Sequence, residues 1–321
     1  MKKAFYNTMK IFLFVGVLFL AACAYNETAT EPEDEIVYQV QEQEQSQNQE
    51  YETPTLPYIP PMPVDNTPDW LATEDLYNPD GLNVFEGPMA YRLQTPTVML
   101  QLQPLTPGEE LAILHTNMGD ITIRFFPEEA PIAVTNFKAH ARNGYYDGLV
   151  FHRVIPDFMI QGGCPLGTGT GGESVWGGRF GTEISFNLRH FRGALAMAHA
   201  GPGTIGSQFY IVQSSSLDPR TVAEFNEMKE LMDEAIGILP DGTRVYLRDW
   251  HPIESLEYFI ENGGTPHLDW FWNHTGPHPV FAHVVNGMDV VDAIANTPQG
   301  ASNRPVDDMI IERISFFFYG E

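Results

Sequence analysis

Residues Phe151 to Gly163 read FHRVIPDFMIQGG. The stretch is apolar enough for a protein interior, yet it carries an arginine, and burying an unpaired cation is strongly unfavourable. An arginine in such a run must face a groove or find a partner. Working outward, strand-like runs recur at 150–154, 158–161, 193–198 and 207–212. Upstream, LAILHT and ITIRF flank the turn NMGD, and Ile121, Ile123 and Phe125 alternate with Thr122 and Arg124. That period of two marks a strand with one buried face. The tail MIIERISFFF closes the chain as another strand. PIAVTNFKAHARNG reads as a helix, with Pro131 in its first turn, Ala133, Phe137 and Ala141 on one face, and Gly144 as its stop. GMDVVDAIANTP is a second helix, with Val290, Val291 and Ile294 inward and Pro298 beyond its end. Many strands with two such helices favour a mainly β, closed antiparallel barrel, because a parallel sheet needs a crossover between each strand pair.

The rest of the 321-residue chain is organised around this region. Asp and Glu number 42 against 17 Lys and Arg, a formal net charge of −25. That balance opposes nucleic acid and anionic membrane surfaces as partners, since both demand clustered cations. The N-terminus carries Lys2, Lys3 and Lys10, then the apolar run IFLFVGVLFLAA, then Cys23. A cationic start, a short apolar core and small residues before a cut describe a secretory signal over residues 1–22. LAAC (Leu20 to Cys23) resembles a bacterial lipobox, which makes Cys23 the expected lipidation site and the extracytoplasmic face of the cell membrane the expected location. Between Cys23 and Arg92 there is no Lys or Arg, and residues 23–68 are rich in Glu, Gln and Pro, the composition of a solvated tether. Residues 69–106 form an extension of unassigned structure, and 107–321 form the globular domain. Within it, Asp218-Pro219 opens the helical run RTVAEFNEMKELMDEAIGIL, where Val222, Phe225, Met228, Leu231 and Met232 share a stripe. This predicts an insertion over about 214–264.

Familiar catalytic groups are scarce. GTGTGG (Gly167 to Gly172) lacks the Lys and Ser/Thr of a phosphate loop. His274 and His278 are spaced i, i+4, but Gly276 and Pro277 between them oppose the helix that would align them, so no metal site is expected. Cys164 follows two glycines with no evident activating neighbour, and reads as a structural thiol.

FHRVIPDFMIQGG and LAMAHAGPGTIGSQFYIV together resemble the paired signatures of the cyclophilin family of peptidyl-prolyl isomerases. PVFAHVVNGMDVVDAI resembles that family's strand-and-helix ending, and TNMGDITIRFFPEEAPIAVTNF its opening hairpin and first helix. The resemblance spans roughly residues 111 to 318. It implies an eight-stranded antiparallel barrel capped by two helices, with an active groove on the outer wall and proline-containing polypeptides as substrates.

That chemistry accounts for the composition. An X–Pro peptide bond rotates over a barrier of roughly 18–20 kcal/mol, and rotation requires no nucleophile, acid–base pair or cofactor. As the bond twists, the prolyl nitrogen gains a lone pair to which a guanidinium can donate, an interaction available only in the twisted state and therefore catalytic. By the resemblance, Arg153 is the catalytic arginine and Gln161 the glutamine that orients it. Phe158 and Met159 form the proline-pocket wall. Ala198, His199, Gln208, Tyr210, Leu268 and His278 take substrate-binding positions. Tyr210 stands where the family usually has Phe, His199 where Asn is common, Cys164 in place of Asp and Ala282 in place of Gly. His267 occupies the position of a Trp found in drug-sensitive members, which argues against cyclosporin binding. The expectation is a monomeric, lipid-anchored isomerase acting on exported proteins. Its rivals are a proline-peptide-binding module with little turnover and a surface adhesion protein.

Overall fold

The computed structural model describes residues 83–84, 97–201, 203–238, 242–269, 273 and 276–321. The expected signal, lipobox, tether and most of the 69–106 extension lie outside these residues. Among the described residues, no helix is long and apolar enough to cross a membrane.

Eight strands form one sheet: β1 (Glu110–Thr116), β2 (Gly119–Phe125), β3 (Arg153–Ile155), β4 (Met159–Gly162), β5 (Ala194–Met197), β6 (Phe209–Val212), β9 (Val280–Asn286) and β10 (Ile311–Phe318). Two further strands, β7 (Ala235–Ile238) and β8 (Arg244–Tyr246), form a separate three-stranded sheet with the short strand Asn83–Val84. The large sheet runs in the order β10-β1-β2-β9-β5-β6-β4-β3, with every neighbouring pair antiparallel. Its two outer edges meet through the bridge Val150–Ile310, with Phe151 N donating to Met309 O at 2.9 Å and Ile311 N to Leu149 O at 2.8 Å. The sheet therefore curls back on itself, as the strand count and the scarcity of crossover helices predict.

Alternation along the strands separates two apolar sets. Ile121, Ile123, Val154, Ile160, Leu195, Met197, Phe209 and Ile211 point into the barrel. α1 (Pro131–Arg142) and α5 (Met288–Ala295) add Ala133, Phe137, Ala141, Val291 and Ile294 to the same core. Phe137 alone meets the rings of Phe125, Tyr146, Phe209 and Phe281 at centroid separations of 5.0–5.9 Å. α1 begins at Ala130, which has no capping side chain; the carboxylate of Glu183 accepts from the amides of Ile132 (3.0 Å) and Ala133 (2.8 Å) instead. Met159, Ala194, Ala196, Tyr210 and Val212 point to the other face, where Leu188, Phe126 and Val280 cover them.

Past β6 the chain leaves the barrel. Asp218 caps α2 (Pro219–Lys229), accepting from Arg220 N and Thr221 N. The helical run expected to extend through Met232 and beyond ends at Lys229. Amides at Glu230 and Leu231 tighten onto i−3 carbonyls, and Ala235–Ile238 becomes β7, paired antiparallel with β8 and parallel with Asn83–Val84. α3 (Leu247–Trp250) and α4 (Ile253–Asn262) follow. Phe225, Met232, Leu247, Leu256 and Phe259 form a separate core that also takes in Met99 from the N-terminal flank and Phe191 from the barrel. The excursion returns at Gly264, which bridges Phe191. A Cβ there would sit 2.5 Å from His190 O and 2.7 Å from the Phe259 ring, so glycine is required for the return.

Candidate active site

The register of the strands assembles the site. Directly opposed residues in a sheet share a face, and Arg153 pairs with Gln161, Gln161 with Tyr210, Tyr210 with Ala196, and Ala196 with Val280. One row across five strands thus places Arg153, Gln161 and Tyr210 side by side on the outer wall. The arginine of the FHRVIPDFMIQGG stretch stands half-buried at the barrel surface, away from the core that begins one residue later at Val154.

Arg153 Nη1 donates to Gln161 Oε1 at 3.3 Å, and Gln161 Nε2 donates to Gln208 Oε1 at 3.0 Å. Gln208 Nε2 in turn donates to the carbonyls of Gly169 (2.8 Å) and Gly171 (2.7 Å). The glycine-rich loop is therefore an anchor for this chain of amides. Cys164 Sγ organises it from inside, accepting from Gly169 N at 3.3 Å and Gly171 N at 3.4 Å. Burial raises the thiol pKa, but the surrounding backbone amides outweigh it and leave the pKa below the ordinary value.

Beside this row, Phe158, Met159, Ala198, Tyr210 and Leu268 share one apolar cluster with Leu188 and Val280. The turn Pro156-Asp157 presents Phe158. Asp157 adopts a left-handed φ of 55°, with its amide held by Gln213 Oε1 at 2.8 Å. The Phe158 ring stacks on His267 at a centroid separation of 5.8 Å. His278 lies against Tyr210 (5.4 Å, edge-on) and stacks on His199 at 4.0 Å. Its Nδ1 faces Met197 O at 3.2 Å, which assigns the proton to that nitrogen. Burial, together with His199, His190 and His267 nearby, lowers the His278 pKa to about 3, and burial also lowers that of His199. Both rings are neutral at neutral pH, so Arg153 supplies the positive charge of this wall. His274 falls outside the described residues.

All ten groove residues expected from the sequence come together here. Two neighbours were not anticipated. His190 and Asp269, 1 % and 2 % exposed, lie beneath Tyr210 and hydrogen-bond to it in series. The available signal was the tyrosine itself: a buried hydroxyl requires a partner.

The family model described as "Cyclophilin type peptidyl-prolyl cis-trans isomerase/CLD" matches residues 111–235 and 248–316, skipping 236–247. The chain belongs to the cyclophilin-type peptidyl-prolyl cis-trans isomerase family. A Staphylococcus aureus protein named "Putative peptidyl-prolyl cis-trans isomerase" is 44% identical over 207 residues, covering 64% of this chain and 91% of that protein. A Staphylococcus haemolyticus protein of the same name is 45% identical over 201 residues, 63% of this chain and 88% of that protein. A crystal structure of a Cryptosporidium parvum cyclophilin is 28% identical, covers 65% of this chain and 97% of its own, and has a TM-score of 0.46. The cyclophilin assignment rests on the sequence matches. This cyclophilin is a prolyl isomerase, and its outer wall brings Arg153 and an apolar cluster side by side.

Proposed function

We propose that Arg153 is the catalytic donor, oriented by Gln161 and Gln208, and that the Phe158–Met159–Tyr210–Leu268 pocket grips the proline ring. The observation that carries this reading is the row Arg153–Gln161–Tyr210, which sets a guanidinium beside an apolar cleft on one face of the sheet. With the ring held, Arg153 can hydrogen-bond the prolyl nitrogen as it pyramidalises, an interaction made in the transition state and absent from the planar amide. NMR exchange spectroscopy on an X–Pro peptide tests it: wild type should accelerate exchange and Arg153→Ala should do so about a hundredfold less. Equal rates for the two would refute the assignment.

The cellular setting belongs to the same proposal. The cationic start, apolar run and LAAC of residues 1–23 support lipidation at Cys23, with the acidic tether holding a monomeric isomerase clear of the membrane and its clients being exported polypeptides. Mass spectrometry of the membrane fraction should find a diacylglyceryl adduct on Cys23, lost together with membrane retention in Cys23→Ala. The second reading, a proline-peptide-binding module with little turnover, draws on Tyr210 and His267 in the groove. It would be favoured by peptide affinity without exchange enhancement.

A further inference from the structure

We propose that His190 and Asp269 are positioning residues of the proline pocket, acting through the hydroxyl of Tyr210. The inference rests on the proposed groove assignment. Tyr210 contributes its ring to the cluster containing Phe158, Met159 and Leu268. Its hydroxyl, on the far side from the ring's attachment to β6, lies 2.9 Å from His190 Nε2. His190 Nδ1 lies 2.6 Å from Asp269 Oδ1, and the same oxygen accepts the His190 backbone amide at 2.8 Å. A carboxylate only accepts, so His190 carries a proton on Nδ1; in the neutral imidazole Nε2 then offers a lone pair, to which the tyrosine hydroxyl donates. Burial, reinforced by Asp269, raises the Tyr210 pKa well above the ordinary phenol value, which keeps that donor protonated.

What the relay joins gives it a role in the pocket. Tyr210 belongs to a barrel strand. Asp269 belongs to the segment that re-enters after the excursion beyond β6, directly behind His267, which stacks on Phe158, and Leu268, which lines the pocket. His190 is fastened to both sides, since its own carbonyl accepts from Thr265 N at 2.8 Å. Floor and wall of the pocket come from parts of the chain separated by that whole excursion, and the relay spans the seam. Arg189 is buried beside it, donating to Phe186 O and Leu188 O, and feels the Asp269 carboxylate. A tyrosine side chain turns about χ1 and χ2, and tethering the hydroxyl at the far end of the ring removes the swing about χ1 that would let the pocket widen. The relay touches neither the rotating bond nor Arg153. Its loss should weaken binding in ground and transition states alike, raising KM with kcat preserved.

The test is KM and kcat by NMR exchange on an X–Pro peptide, using the whole protein and its Tyr210→Phe, His190→Leu, Asp269→Ala and Asp269→Asn variants. Each of the first three should raise KM by about three- to tenfold, with kcat within about twofold of wild type. Asp269→Asn keeps a carbonyl oxygen for both N–H groups and should hold KM within about twofold. A merely structural role would lower thermal stability and leave KM of the folded protein alone. An unchanged KM in folded Tyr210→Phe and His190→Leu, or a fall in kcat at constant KM, overturns the proposal. Tyr210→Phe removes a single oxygen, and carries the test if His190→Leu fails to fold. Wild-type exchange that survives in Arg153→Ala would defeat the groove assignment instead, and leave these two outcomes distinguishable.

Discussion

Acidification from pH 7 to pH 5 should cost the protein about 2 kcal/mol through His283 alone. His283 is 8 % exposed on β9, with Nδ1 3.2 Å from Gln101 Nε2. Gln101 Oε1 is occupied by Arg189 N at 2.7 Å, so the amide orientation is set and its N–H faces the imidazole lone pair. A proton on Nδ1 would confront that donor. Burial, with Arg124 adding repulsion, lowers the His283 pKa from 6.5 to about 4. Above pH 6.5 the ring is neutral in folded and unfolded chains, and stability does not respond. As pH falls below 6.5 the unfolded chain takes up a proton that the folded protein refuses, and stability is lost until about pH 4. At pH 5 the two protonation polynomials differ about thirtyfold, which is the 2 kcal/mol quoted, approaching about 3 kcal/mol when complete. His278 and His152, lowered to about 3 and about 4, act in the same direction, so a variant is needed to isolate His283. His283→Gln can still accept from Gln101 and does not titrate. Urea unfolding of both proteins at pH 7 and pH 5 should show wild type losing about 2 kcal/mol more than the variant. Any fixed destabilisation by the substitution appears at both pH values and cancels. Parallel pH dependence in the two proteins would refute the assignment.

Four other outcomes follow from the geometry. Arg153→Ala should lower kcat about a hundredfold, because it removes a donor that acts on the twisted amide. Gln208→Ala should lower kcat about tenfold through a loosened Gln161; in the double variant with Arg153→Ala the further loss should vanish, as expected for residues acting in one chain. Gly264→Ala should destabilise the fold by about 3 kcal/mol in thermal or urea unfolding, since its methyl would overlap His190 O and the Phe259 ring. Phe225→Ala should cost about 3–5 kcal/mol in the same measurements by emptying the centre of the second core, where it meets Phe259 at 5.9 Å.

Much of this protein is legible in its sequence. Ile121, Ile123 and Phe125 announced a half-buried strand, and all three are buried. Ala133, Phe137 and Ala141 announced a helix face, and all three pack into the barrel. These are local signals: the period of a strand or a helix is imposed by backbone geometry and needs no knowledge of what lies opposite. The excursion after β6 was less transparent. Its stripe of Val222, Phe225, Met228, Leu231 and Met232 continued past the point where the helix stops, because Ala235–Ile238 finds strand partners in Arg244–Tyr246 and Asn83–Val84. Pairing at that distance overrides local propensity and leaves no mark in a short window.

The sequence by itself determined which chemistry is present: an arginine, two glutamines and an apolar pocket set at spacings that strand alternation turns toward one face. Only the tertiary structure decided what holds them. Gln208 anchors to carbonyls of a glycine loop wound round Cys164, and Tyr210 anchors to His190 and Asp269 across the seam between the barrel and the chain returning from the excursion after β6. The physical reason is the difference between the two kinds of information. Facing is periodic and therefore local, whereas a hydrogen bond between residues dozens apart exists only once the whole path of the chain has brought donor and acceptor within about 3 Å.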